Sequence, residues 1–215
     1  MDETPSQYRT ILLFGMPGSG KGTQGSVLGQ LPDLVHVSSG DVFRKLPKYG
    51  SLGREIGQYT SQGMMVPDEL TIRIYQRHIQ VLELQEFLIP GRTTLVLDGI
   101  PRNYGQAEIM EPMLDVIQIF HLVVRDVREA IDRLKVRALR ENRLDDMNDE
   151  VIRKRMRVYN DETMQTLSFY DPSIICDIDA TQSPIDVLRD VVNRLSQIQR
   201  VQHGPATAHA HPNGR

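Results

Sequence analysis

Only one cysteine, Cys176, occurs in the 215 residues. That excludes an intrachain disulfide framework and a multi-cysteine zinc site, and it suits a reducing compartment. An excess of positive charge is also missing. Lys and Arg total 25 against 28 Asp and Glu, a formal net charge of −3, so an overall basic surface for nucleic acid is excluded. No apolar run approaches the ~18 residues of a membrane span. The first residues, Met1-Asp2-Glu3-Thr4-Pro5, lack the basic start and apolar core of a signal peptide. The expectation is a cytoplasmic protein without an anchor. What is present, 40% hydrophobic and 25% charged residues, suits a folded globular chain rather than a disordered one. At 24.5 kDa one domain with inserted subdomains is expected.

Three apolar runs, 10–14, 93–98 and 116–124, end at turn or helix-start residues, and 34–37 and 174–178 are shorter candidates. Runs this apolar, with little alternation, suit strands buried on both faces of a parallel sheet. Helical spacing predicts helices over about 126–140, with Asp126 as N-cap, and over about 149–170. A last helix should start near Ser183, with Pro184 in its first position. Alternating strand and helix reads as an α/β fold. Residues 41–85 interrupt the alternation as consecutive helices punctuated by Pro47, Gly50, Gly63 and Pro67. Residues 203–215 carry His203, His209 and His211 without periodicity and read as a disordered tail.

Between the first strand and the next helix stands Gly15-Met16-Pro17-Gly18-Ser19-Gly20-Lys21-Gly22-Thr23. Glycines let backbone N–H groups turn toward one point, and the helix N-terminus adds positive potential. Lys21 can then reach the terminal phosphates of a nucleotide. The bland alternative is a strand-to-helix turn with a chance lysine, but strand, loop and helix come in the required order.

With Gln24 following, Gly-Lys-Gly-Thr resembles the phosphate loop of adenylate kinases and other nucleoside monophosphate kinases. The resemblance continues at Ser38-Ser39-Gly40-Asp41-Val42-Phe43-Arg44, at Gly63-Met64-Met65-Val66-Pro67-Asp68 and at Asp98-Gly99-Ile100-Pro101-Arg102-Asn103-Tyr104-Gly105-Gln106. It implies a P-loop NTPase fold: a five-stranded parallel sheet flanked by helices, a monophosphate-binding insertion (41–85) and a short lid (137–150). The core would comprise 8–40, 86–136 and 151–202, all within one domain over 1–202. Gly15, Pro17, Gly18, Ser19, Gly20, Lys21, Gly22 and Thr23 would hold ATP. Ser39, Gly40, Arg44, Met64, Val66, Gly99, Arg102 and Gln106 would hold AMP, with Arg44 and Arg102 on its phosphate. Asp98 and Thr23 would hold Mg2+ through water, as a Walker-B carboxylate does. Ile100 stands where the family usually has Phe, a change that keeps apolar bulk. Locally, Ser39 or Asp41 also reads as a helix cap with a solvated Arg44.

Nine arginines lie between 125 and 157. Arg125, Arg128 and Arg140, interleaved with Glu129, Asp132 and Glu141, read as a solvated helix face. Arg133 and Arg137, four apart, share a face. Arg143-Leu144-Asp145-Asp146 and Arg153-Lys154-Arg155 resemble family elements whose arginines surround the transferring phosphoryl group. The resemblance therefore gives Lys21, Arg102, Arg133, Arg137, Arg143 and Arg155 catalytic roles. Arg133 and Arg137 would also contact ATP, and Arg143 and Arg155 AMP. Five residues separate Arg137 from Arg143, which resembles the short-lid form without zinc; Asn142 replaces the usual glycine. Gln182, in the segment after the last strand, would lie by the donor adenine. Cys176 reads as a core residue.

The six motifs stand in family order over about residues 10–200. The reading is reversible Mg-dependent phosphoryl transfer from ATP to AMP giving ADP, by a monomer. The rivals are a UMP/CMP kinase on the same fold and a non-catalytic nucleotide sensor. A GTP switch would need an Asn-Lys-x-Asp motif, which the sequence lacks.

Overall fold

The computed structural model describes residues 7–46, 50–141 and 147–203, with side chains to residue 198. Arg143, Asn142 and the tail from 204 onward lie outside the described residues. Five parallel strands form one sheet: β1 Tyr8–Gly15, β2 Leu34–Ser38, β3 Thr94–Asp98, β4 Leu114–Val123 and β5 Ile175–Asp179. Their order is β2-β3-β1-β4-β5. All five expected strands form, each within two residues of its expected start. β1 pairs through Leu13↔Asp98 on one side and Gly15↔Leu122 on the other.

Alternate residues of β1 serve opposite faces, as the two-residue strand period requires. Leu12 and Phe14 join Leu95, Leu97 and Ile119 under Leu70, Ile74, Tyr75 and Ile79. Ile11 and Leu13 join Val96, Phe120 and Leu122 under Leu28, Ala130, Leu134, Ile152 and Val191. Burial on both faces explains why β1 and β3 read as nearly continuous apolar runs.

Helices α1 Lys21–Leu28, α2 Ser39–Lys45, α3 Ser51–Thr60, α4 Asp68–Leu84, α5 Tyr104–Met110, α6 Val127–Glu141, α7 Asp149–Val158 and α8 Pro184–His203 fill the connections. Asp126 caps α6 as expected, accepting the Arg128 N–H at 2.9 Å. Pro184 opens α8. The long helix expected over 149–170 instead ends at Val158. The chain continues as a π-turn, Tyr159–Thr163, and a 3-10 turn, Gln165–Phe169. The cause lies in Tyr159. Its buried hydroxyl meets His121 Nε2 at 3.0 Å, and its carbonyl accepts the Met164 N–H at 2.8 Å, five residues on. That tertiary bond widens the turn. Cys176 is half-buried and packs at the margin of the second apolar cluster.

From β1 the chain winds first to one side, through β2 and β3, and then to the other, through β4 and β5. The crevice beyond the carboxyl ends of such strands, where the winding reverses, is the usual ligand site of an open α/β sheet. Gly15, Ser38, Asp98, Val123 and Asp179 all end strands there.

Candidate active site

The loop after β1 turns through left-handed backbone at Gly18 (φ 85°) and Gly20 (φ 96°). At Gly18 a side chain is doubly excluded, because a Cβ would run into the Ala130 carbonyl of α6. The loop therefore rests against α6. Lys21, the first residue of α1, folds back so that Nζ donates to the Gly15 carbonyl at 2.5 Å and the Met16 carbonyl at 3.1 Å. Burial pushes the Lys21 amine down to about 8. The Asp98 carboxylate counters this, while Arg102, Arg155 and Arg137 add to it. Four side chains, from β3, the loop before α5, α7 and α6, thus act on Lys21 at the ends of the strands. An amine pressed by three guanidiniums and little water is poised for an anionic ligand.

Asp98 is 8% exposed and pairs in register with Leu13 of β1. A Cβ on Gly22 would sit 3.5 Å from Asp98 Oδ2. Among the described residues no group of three His, Cys, Asp or Glu gathers around a metal position. A lone buried carboxylate fits a hard cation that keeps most of its ligands as water and phosphate oxygens, which is the habit of Mg2+ and not of zinc.

Arg102 follows the Asp98-Gly99 turn, where Gly99 adopts φ 76°. Its Nε donates to the Gly99 carbonyl at 2.8 Å and its Nη2 to Ser39 Oγ at 3.3 Å. Ser39 Oγ in turn donates to Gly99 O at 2.8 Å. Burial, then Arg155 and Arg44, push the Arg102 guanidinium down to about 10 against the pull of Asp98. Ser39 is 2% exposed. It is therefore an interior tie between α2 and the Gly99 turn; the residue at the N-cap of α2 is Ser38.

Arg44 pairs with Asp41 on its own helix, and both side chains are nearly half exposed. Gly40 underlies Arg44, whose Nη1 would be 3.0 Å from a Cβ there. The Val66 backbone carbonyl accepts the Thr71 hydroxyl at 3.2 Å, and the Met64 N–H donates to Tyr59 O at 2.9 Å. Gly63 packs against α7, where a Cβ would meet Val151 O at 3.0 Å and Arg155 Cγ at 3.2 Å. The insertion and α7 thus touch beside the arginines.

Arg133 donates to the Ala180 carbonyl at 2.7 Å, which ties α6 to the segment after β5. Gln182 in that segment donates to Asp190 of α8 at 2.7 Å, so its side chain is held by α8. Arg128, 87% exposed, pairs with Asp126, as expected of a solvated helix face. Ser19, 3% exposed, has a buried Oγ without a hydrogen-bond partner, and Thr23 is exposed.

Gln106 is 1% exposed and not an outlying helix residue. Its Oε1 accepts the Arg102 N–H at 2.8 Å, and its Nε2 donates to Asp68 Oδ1 at 2.6 Å. Asn103 caps α5 by accepting the Gln106 N–H at 2.8 Å. It also donates to both Asp68 oxygens at 3.0 Å. In the sequence Asp68 stands only as the last residue of the Gly63–Asp68 motif, with no role assigned to it. Its partners lie 35 and 38 positions away, so no local pattern could reveal them.

A family model described as "Adenylate kinase" matches residues 13–175. Among curated proteins, one named "Adenylate kinase" from Cyanothece sp. (strain PCC 7425) is 36% identical over 196 residues, covering 88% of this chain and 96% of the relative. Another, from Thermobifida fusca (strain YX), is 38% identical over 169 residues, 75% of this chain and 84% of the relative. A third, from Corynebacterium diphtheriae, is 35% identical over 166 residues, 77% and 87% of the two chains.

Proposed function

The chain belongs to the adenylate kinase family, and we propose on that premise that it catalyses reversible phosphoryl transfer from ATP to AMP, giving two ADP. The observation that carries the reading is the group of Lys21, Arg102, Arg137 and Arg155, all half-buried, gathered with the buried Asp98 at the strand ends. Phosphoryl transfer leaves little covalent work for a protein. Alignment and neutralisation of charge on the moving group dominate. A cluster with four cations and one carboxylate supplies both.

In this reading Lys21 leaves the Gly15 and Met16 carbonyls for the ATP phosphates, and Arg102 with Arg44 grips the AMP phosphate. Arg137 and Arg155 flank the transferring group, with Arg143 as a further expected contact. Arg133 braces the donor side through Ala180. Fixed bidentate donors suit phosphate oxygens better than flexible amines do. The AMP phosphate is already a nucleophile, so no general base is required. Asp98, with the Thr23 hydroxyl, would hold Mg2+ through water, and that ion supplies charge neutralisation on the ATP phosphates. No described helix is long and apolar enough to cross a membrane. Cytoplasmic residence and a monomeric state belong to the same proposal.

A coupled ADP-formation assay with AMP, CMP, UMP and GMP as acceptors tests the reading. AMP should lead in kcat/KM by at least about tenfold, since a site built for one base leaves buried polar groups unmatched by another. Equal or faster turnover of UMP or CMP would replace it with a pyrimidine monophosphate kinase. No acceptor turnover at all, with ATP bound, would leave a nucleotide sensor.

A further inference from the structure

The orientation of the Gln106 amide is set from two sides. Its oxygen faces an N–H, that of Arg102, and its nitrogen faces a carboxylate, that of Asp68. Turning the amide over would set NH2 against N–H and oxygen against carboxylate oxygen, so the reverse orientation is strongly disfavoured. A glutamine side chain has two N–H donors and two acceptor positions. One of each is taken, so one donor and one acceptor remain in a fixed order.

That order matters for a purine. Adenine presents a ring-nitrogen acceptor beside an amino donor, whereas a 6-oxopurine presents a ring N–H donor beside a carbonyl acceptor. An amide free to flip serves both edges, and a fixed one serves a single edge. Asp68 holds Asn103 as well, through both oxygens. The carboxylate at the start of α4 is thus bound to the first turn of α5 by two side-chain amide groups, through three contacts.

We infer that Asp68 is a positioning residue that fixes the Gln106 amide and thereby makes the acceptor site select a 6-aminopurine monophosphate over a 6-oxopurine one. This rests on the reading of the chain as an AMP phosphotransferase and adds the residue that sets its base polarity.

The test compares AMP and IMP, which differ at this edge alone, in the full chain and in Asp68→Asn and Asp68→Ala. Asparagine keeps the shape but can donate as well as accept, and alanine removes the acceptor. The unmodified protein should favour AMP over IMP by at least ~100-fold in kcat/KM. Either variant should cut that ratio by at least ~tenfold, chiefly by raising turnover of IMP relative to AMP, with ATP affinity within about threefold. A purely structural role would lower both substrates together and leave the ratio alone; that result, or loss of folding in both variants, overturns the inference. An unmodified protein that phosphorylates neither nucleotide overturns the underlying reading instead, and the two failures are told apart before any variant is made.

Discussion

Replacing Arg102 by alanine separates catalysis from folding, because this side chain is held at an electrostatic disadvantage. Burial and the neighbouring Arg155 and Arg44 push its guanidinium down to about 10. A base whose proton affinity is lowered on folding is a base whose charge the folded state disfavours. Truncation removes the bonds to Gly99 O and Ser39 Oγ, worth about 1.5–3 kcal/mol each when one partner is charged. It also relieves repulsion among Lys21, Arg44, Arg155 and Arg102, and Ser39 keeps its bond to Gly99. The two effects oppose each other, so the melting temperature should move by no more than about 4 °C, the shift ~1 kcal/mol produces. Turnover has no such compensation. Two charge-assisted bonds to the acceptor phosphate, at a conservative ~1.5 kcal/mol each, amount to roughly 3 kcal/mol, or ~100-fold in kcat/KM for AMP. ATP affinity should stay within about threefold, since Arg102 is assigned to the acceptor side. Steady-state kinetics, calorimetric ATP binding and a thermal melt decide the matter together. Wild-type turnover would remove Arg102 from the site, and a melting temperature lowered by ten degrees or more would show that the guanidinium is structural.

Three further outcomes are expected. Gly18→Ala should destabilise the protein more than Gly20→Ala: both have left-handed backbone, but only at Gly18 does a Cβ meet the Ala130 carbonyl, whereas at Gly20 it meets nothing within 4 Å. The left-handed penalty is about 1–2 kcal/mol at each, and equal urea midpoints for the two variants would contradict the contact. His36 is held below the usual imidazole range mainly by burial, against Asp98 and Asp41, and its Nε2 is buried without a partner. The unfolded chain therefore binds more protons than the folded one as pH falls below ~6.5, and stability drops on acidification. His36→Asn should flatten the melting temperature between about pH 6.5 and 5, and an unchanged acid slope would exclude His36 as its source. Hydrogen exchange with a bisubstrate dinucleotide should protect the described parts of 41–85 and the end of α6 as well as the phosphate loop, because two phosphate-bearing substrates must meet with water excluded; protection of the loop alone would contradict closure.

The sheet was legible chiefly through β1 and β3, which are buried on both faces and wrote apolar runs that stop at Gly15 and Asp98, whereas His36, Gln118, His121 and Asp177 interrupt the runs of β2, β4 and β5. The phosphate loop was legible because its chemistry is local: glycines, a lysine and a helix start fit within nine residues. Asp98 and Arg102 were legible for the same reason, in one short turn. Long-range ties were not. Asp68 reaches Asn103 and Gln106 only after α4 packs beside α5, and helical propensity alone carried the helix expected over 149–170 past Tyr159, whose bond to His121 spans 38 residues. Arg44 and Gln182 were readable as residues but not in their present partners, Asp41 and Asp190, since surface pairing among many charges leaves no periodic trace.

The central claim is that this site passes a phosphoryl group between two nucleotides instead of to water. Chromatographic quantification of every product from ATP, AMP and Mg2+ tests it directly. Two ADP should form for each AMP consumed, with no inorganic phosphate released, and the same mixture of nucleotides should be reached starting from ADP alone. One ADP and one phosphate per ATP, with AMP untouched, would contradict the account.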